Sequence, residues 1–392
     1  PCPRGSPLDQ TLPLMLYTSM STHRILVIGG YGFFGARLVQ LLSRQPGLHI
    51  FIGGRSVPKA EALAQQLRPT ADSQLDAQAI DIASPALAAT LTALRVDTVV
   101  HTAGPFQGQD YHVAQACIDA GANYIDLADG RDFVAGIGAL HGAAAQAGVL
   151  VTSGASSVPA LSSAAADRLA AGIARVTEID IGISPGNRTD RGLSTVAAIL
   201  GYCGQPLPGG ASGKTIGWLG TYEHRYPAPV GRRLLSPCDV PDLVLLGPRY
   251  PGAPLVRFGA GLELRLLHRG MNGMALLAHR GLVRNWSRHA PLLKRMADWF
   301  RHMGSDAGAM HVRVTGVHRD GAAVSSSWSL VAAAGDGPFV PTLAAAALVR
   351  RLAAGEPFQP GASPCLGLLS LADFEREAAG LNITMKSAAA DA

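Results

Sequence analysis

The chain has 392 residues, of which 48% are hydrophobic and 16% charged, with a formal net charge of +5. So much apolar content beside so little charge excludes a mainly disordered chain and allows more than one buried core. Five cysteines, at positions 2, 117, 203, 238 and 365, form no C-x-x-C pair and no metal-ligand spacing, which argues against a disulfide framework and fits a reducing, cytoplasmic setting.

Residues 1–22 read as a disordered extension, with Met20 as a candidate start and an apolar patch, Leu12 to Tyr17, too short for a signal-peptide core. No stretch approaches the ~18–20 uncharged apolar residues of a membrane span. Residues 24–28 (RILVI) then form a short apolar strand, followed by GGYGFFG and a helix in ARLVQLLSRQ, where Leu38, Leu41 and Leu42 recur at helical spacing. A second strand at 49–56, a helix at 59–67, a third strand at 78–82 and a helix at 85–94 follow. A fourth strand at 96–104, a helix at 111–121, a fifth strand at 123–128, a helical tail at 141–148 and a sixth strand at 149–154 complete the series. Strands alternating with helices of this length predict βαβ units and a parallel sheet, so residues 23–155 read as a doubly wound, Rossmann-type α/β domain.

The glycines of GGYGFFG carry the first chemical signal. Gly30, Gly32 and Gly35 fit G-x-G-x-x-G, and Gly29, Gly32 and Gly35 fit G-x-x-G-x-x-G. A pyrophosphate needs a tight turn, bare backbone and a helix N-terminus offering N–H groups. Here the motif leaves a predicted strand and opens a predicted helix, the context that gives it weight. The second strand then discriminates between nucleotides. NAD-binding domains place a carboxylate at its end for the ribose 2′-hydroxyl. This chain has Gly53, Gly54, Arg55, Ser56 and Lys59 instead, two cations and a hydroxyl suited to a 2′-phosphate, so the expected cofactor is NADP. The turn Ala103, Gly104, Pro105, Phe106 ends the fourth strand where the nicotinamide half is expected.

Beyond Pro159 the pattern changes. A helix over 160–174 leads to alternating segments at 176–184, 310–317 and 322–334, the last two joined by the turn signal Asp320-Gly321. Residues 156–340 therefore read as a second α/β domain with a mixed or antiparallel sheet. Residues 341–392 read as a C-terminal helical segment packing back on the first domain, with a helix over 341–355 that begins at Pro and ends at Gly. Residues 221–303 hold 13 Lys/Arg against 5 Asp/Glu. This excess suits a solvated basic face, an anionic substrate or an acidic membrane surface, and no nucleic-acid recognition motif accompanies it. Within it, 287–304 puts Leu292, Leu293, Met296, Trp299, Phe300 and Met303 on one helical face. Packing within the second domain or a dimer contact is the favoured account, and a peripheral membrane contact the other.

GGYGFFG, GGRSVPK, Asp81, TAGPFQGQ and ACIDAGANYIDLADG, in that order, resemble saccharopine dehydrogenase/reductase-like NADP-binding proteins. The resemblance continues through GVLVTSGASSVPA and GASPCLGLLSLADF, and is loose from about 205 to 300. It implies a Rossmann domain plus a substrate and dimerisation domain, a homodimer, NADP(H), and hydride transfer at a carbon–nitrogen bond of an amino-acid-derived substrate. Some relatives are instead thought to reduce carbon–carbon double bonds of lipids, and a non-catalytic NADP-sensing protein is the third reading. Carried over, Gly29, Gly30, Gly32, Phe33, Phe34 and Gly35 would cradle the pyrophosphate. Arg55, Ser56 and Lys59 would hold the 2′-phosphate, Asp81 would lie beside the adenine, and Ala103 to Phe106 would flank the nicotinamide ribose. Where relatives commonly show Tyr-x-Asp and then a Gly-Glu pair, this chain has Tyr124, Asp126 and Asp129-Gly130.

Hydride transfer also needs a proton source, and the candidates at the fifth strand's carboxyl end are Tyr124, Asp126 and Asp129. Arg188 and Arg191 are the candidates to clamp a substrate carboxylate, and His101 reads as a core histidine. No metal is expected.

Overall fold

A computed structural model of the chain describes residues 22–208 and 215–389, so nearly all of the expected extension over 1–22 lies outside the described residues. The apolar run at the start becomes β1 (His23–Ile28), whose residues from Ile25 onward are at most 2% exposed. Strands buried on both faces are the mark of a parallel sheet covered by helices. β2 (Leu48–Gly54), β3 (Gln74–Ala79), β4 (Thr98–His101), β5 (Asn123–Asp126) and β6 (Leu150–Ser153) join it. All neighbours pair in parallel, with β4 and β2 flanking β1.

The third strand lies earlier than the predicted 78–82. β3 is the sheet's edge, so its polar alternation (QLDAQA) is tolerated, and the apolar Ile80 beyond it is buried in the following loop instead. Asp81 is therefore a loop residue, not a strand end.

The second half builds a mixed sheet. β7 (Arg175–Ser184) is its centre; β8 (Pro206–Leu207) and β9 (Thr215–Ile216) form a separate small pair. β10 (Tyr222–Arg225), β11 (Arg232–Pro237) and β12 (Leu255–Ala260) extend one side, and β13 (Gly308–Val317) and β14 (Ala323–Ala332) the other. β12 runs parallel to β7 and the other pairings are antiparallel. Val312, Val314, Trp328 and Leu330 bury the inner face, against which the helix Ser162–Ala170 packs. Helices at Leu193–Gly201 and Arg265–His279 and the strands between them were not foreseen, because this stretch lacks a clean period of either kind.

The C-terminal segment is not simply helical, which corrects the expectation for 341–392. The helix Leu343–Ala353 packs on the first domain, but β15 (Gly361–Pro364) then adds a seventh parallel strand beside β6. After the helix Leu371–Glu377, β16 (Ile383–Ala389) pairs with β14 at the edge of the other sheet. GASP is too short and too small-sided to read as a strand; its neighbour β6 supplies the ladder.

Candidate active site

The glycine turn is held by its own backbone. Gly29 has φ +75°, a left-handed value that favours glycine, and its carbonyl accepts the Gly32 N–H at 2.7 Å. A Cβ on Gly35 would stand 2.1 Å from that same carbonyl oxygen, so the helix Phe33–Ser43 can approach the turn only with glycine there. Its first N–H groups have no acceptor within the helix, as at any helix N-terminus. Thr102 locks the turn from β4, its hydroxyl donating to the carbonyls of Ile28 at 2.9 Å and Gly29 at 3.2 Å.

A cavity of about 580 Å³ opens over this turn. Gly29, Gly32, Phe33 and Phe34 line its floor, Arg55 and Asp81 one end, and Ala103, Gly104, Pro105 and Phe106 the other. Gly30 and Gly35 lie behind the turn rather than on the surface of the cavity, and Ser56 and Lys59, which follow Arg55 at the start of the helix Val57–Leu67, do not line it. The exposed Arg55 and Lys59 side chains make no hydrogen bond or ion pair among the described residues. Asp81 is turned back on its own loop, where Oδ1 accepts the Ala83 N–H at 3.0 Å. Tyr31, which the motif hides as an unspecified position, proves part of the wall. Its ring lies so close over Gly54 that a Cβ there would come within 2.5 Å, and its hydroxyl accepts the Ser56 N–H at 3.0 Å. The paired glycines of β2 thus make room for an aromatic ring as well as lacking a carboxylate.

Two of the three expected proton donors do not reach the cleft. Tyr124 and Asp126 alternate onto the same face of β5, and in a sheet covered on both faces neither points to solvent: they are 1% and 0% exposed. Tyr124 reaches His101, its hydroxyl 3.2 Å from Nδ1, and burial lowers the His101 pKa to about 4, so that ring is neutral. Asp126 is a structural acceptor. Oδ1 takes the N–H groups of Ala128 at 2.9 Å and Gly154 at 2.8 Å and the Ser153 hydroxyl at 2.9 Å, tying β5 to the end of β6. Burial nonetheless pushes its carboxyl up to about 6, the three hydrogen bonds pulling the other way. A folded-state pKa above the unfolded one contributes stability that is complete below the unfolded value and is lost as pH rises through the folded one. Denaturant titrations should therefore lose roughly 2–3 kcal/mol between pH ~4 and ~6 through this group. Asp126→Asn, which keeps the accepting oxygen, should flatten that slope.

Asp129 lies past the strand, in the loop at its carboxyl end, and there it does face the cleft. Its Oδ1 accepts from Gln107 Nε2 at 3.2 Å, and burial raises its pKa above the usual carboxylate range. It lines the first cavity and also a second, of about 300 Å³, whose walls come mainly from the second domain. Phe33, Phe34, Gln107, Leu127 and Thr195 are likewise common to both, so the two cavities meet at Asp129. Ser194, on the helix that lines both, donates to the Gly104 carbonyl at 3.1 Å and fixes the second domain against the nucleotide turn.

The second cavity is mostly apolar, walled by Val158, Ile183, Trp218, Phe258, Met310, Leu330 and Val340 among others. Arg191 is its exceptional residue. The guanidinium atoms Nε and Nη2 are buried without a hydrogen-bond partner, and burial lowers the pKa despite the fields of Asp298, Glu263 and Asp190. Arg188, expected beside it, is exposed, reaches the His302 carbonyl at 3.4 Å and does not line the cavity. The described cysteines 117, 203, 238 and 365 are buried thiols, and no cluster of metal-ligating side chains occurs among the described residues. No helix among the described residues is long and apolar enough to cross a membrane.

The residues present fit a dinucleotide: a glycine cradle closed to side chains, a helix N-terminus above it, and an unpaired guanidinium at the adenosine end. A match to a family model agrees. Residues 25–152 match the family model of the saccharopine dehydrogenase NADP-binding domain. No curated protein matches the chain. Among solved structures, apo saccharopine dehydrogenase (L-Glu forming) from Saccharomyces cerevisiae superposes over 93% of this chain and 100% of its own, with a TM-score of 0.63 at 13% identity. A putative short-chain dehydrogenase from Escherichia coli CFT073 overlaps 27% of this chain and 61% of its own, at 18% identity and TM-score 0.21. A short-chain dehydrogenase from Sphingobium yanoikuyae in complex with NADPH overlaps 26% and 52%, at 18% identity and TM-score 0.21. Residues 25–152 are thus a saccharopine dehydrogenase-type NADP-binding domain, within a chain that has the saccharopine dehydrogenase fold.

Proposed function

We propose that the chain is an NADP(H)-dependent oxidoreductase that works on a largely apolar substrate carrying one anionic group. The observation that carries this reading is the meeting of the nucleotide cavity and the apolar cavity at Asp129. NADPH, when bound, supplies a hydride. The chain's residues supply orientation and the proton. Arg55, with Ser56 and Lys59 beside it, pairs with the 2′-phosphate, and Arg191 pairs with the anionic group of the substrate. Asp129, kept protonated to higher pH by burial, gives its proton to the substrate atom next to the one that accepts the hydride; in the oxidative direction it takes that proton back. The apolar walls keep water away from the reacting atoms.

Two bond types fit this arrangement. A carbon–carbon double bond conjugated to a carbonyl in a lipid-like acid suits the apolar lining. A carbon–nitrogen bond of an amino-acid-derived imine suits Arg191 and Asp129 equally, provided that it has one carboxylate, since a single guanidinium neutralises only one. The lining favours the first. NADPH consumption should therefore be seen with long-chain 2-enoic acids, and not with di- or tricarboxylate imines. Turnover confined to the polycarboxylates would sink the apolar-substrate reading, and tight NADPH binding with no turnover on either panel would leave a nucleotide sensor. Arg191→Met should act in opposite directions on stability and function. Removing a buried guanidinium whose Nε and Nη2 have no hydrogen-bond partner should stabilise the free protein by about 1–3 kcal/mol. Affinity for an anionic substrate should fall about 10–100-fold, as for a lost charged hydrogen bond.

A further inference from the structure

The large hydrophobic side chains that stand exposed are concentrated on one surface. Of the ten among the described residues, eight fall between 266 and 303, including Leu282 at 70% and Leu266 and Trp299 at 68%. The helices Arg265–His279 and Ala290–Asp298 carry most of them. Packing inside the second domain, one half of the account favoured from sequence for 287–304 beside a dimer contact, therefore holds for Ala290 but not for Leu292, Met296, Trp299 and Met303, which point outward. The same stretch, 265–303, holds eight Lys/Arg and a single carboxylate, Asp298, which is already bonded to Lys294 at 2.9 Å. Arg265 reaches Glu223 at 2.9 Å, whereas Arg269, Arg280, Arg284, Arg288 and Arg295 are exposed cations without an ion pair among the described residues.

We infer that this surface docks on an anionic lipid bilayer, with Leu282, Leu292, Met296 and Trp299 entering the headgroup region and the arginines meeting lipid phosphates. Apolar side chains interleaved with unpaired cations match an interface that offers hydrocarbon and negative charge together. A second copy of the chain offers the wrong complement, because an isologous contact would set the same arginines against one another. The patch also sits next to the substrate cavity. The helix Ala290–Asp298 packs on the helix Leu193–Gly201, whose residues line both cavities, and Lys294 reaches Asp190, the neighbour of Arg191, at 3.3 Å. The docking does not depend on which bond is reduced.

Vesicle flotation of the full chain tests it directly, with phosphatidylcholine vesicles set against vesicles that contain phosphatidylglycerol. The expected result is flotation with the anionic vesicles only, weakened by salt. Trp218 and Trp328 are buried and Trp286 is half-buried, its Nε1 donating to the Met274 carbonyl at 2.9 Å, so a blue shift of tryptophan emission on binding should come chiefly from Trp299 and shrink strongly in Trp299→Phe. Two double variants at exposed positions should leave the fold intact: Leu292→Ser with Trp299→Ser, and Arg288→Ser with Arg295→Ser. Each should weaken partitioning about tenfold or more. Absence of flotation with anionic vesicles at low salt would overturn the proposal, as would equal binding to neutral vesicles. So would a dimer in sedimentation that the leucine–tryptophan variant dissociates while vesicles are ignored, which would assign the patch to a second copy.

Discussion

Asp129→Asn is expected to slow hydride transfer by about 10²–10⁴-fold, the usual contribution of a positioned general acid, while NADPH binding stays nearly unchanged. Asparagine keeps the size and the hydrogen bond to Gln107 but has no proton to give at the required strength. The pH dependence carries the sharper signature. Burial raises the Asp129 pKa, so the protonated form persists above the ordinary carboxylate range and the reductive rate should fall as pH climbs through that raised value. The variant should lose this limb altogether. Single-turnover oxidation of bound NADPH across a pH series measures both. A variant that retained the wild-type rate and limb would remove Asp129 from the chemistry.

Arg55→Ala is expected to weaken NADPH binding about 10–100-fold and to leave NADH binding almost untouched, as loss of a charged hydrogen bond to one phosphate requires. Calorimetric titration of both nucleotides separates this from a general disturbance of the pocket. Arg55 stands at the end of the cavity and has no protein partner to release, so the variant should cost the free protein little. Equal losses for the two nucleotides would mean that Arg55 steadies the pocket rather than reading the phosphate.

What could be read beforehand followed the strength of the local pattern. The nucleotide half combines apolar strands, short helices and glycine at positions with a backbone reason, and these features are written residue by residue. The placement of Asp129 beyond its strand and of Tyr124 and Asp126 within theirs was also present in principle. It follows from alternation once the sheet is known to be covered on both faces, whereas the three residues look equivalent as a cluster. The second half resisted because its edge strand β10 (YEHR) is largely polar and its long helix, Arg265–His279, presents leucines to solvent. A helix that turns Ala275, Ala278 and two methionines to the core while Leu266, Leu276 and Leu277 stay outside violates the expectation used to recognise it. Tyr31 was hidden for a different reason: it stands at a variable motif position and is picked out only by the bare backbone of Gly54 opposite. Arg188 and Arg191 stand three positions apart and look alike in sequence; only folding shows that the first is exposed and the second has its guanidinium Nε and Nη2 buried.

The strand Gly361–Pro364 has a consequence for how the polypeptide can be cut. The family match ends at residue 152, yet the ladder on that flank is completed by residues some two hundred positions later. A fragment trimmed to the matched boundary would display a bare, uncapped border along β6, inviting other chains to add themselves there. Continuing from that strand, the polypeptide passes through the helix Leu371–Glu377 to the border of the opposite sheet at β16. One tail therefore bolts both halves together, so the halves are not interchangeable modules: swapping either one with a relative would require transplanting the tail along with it.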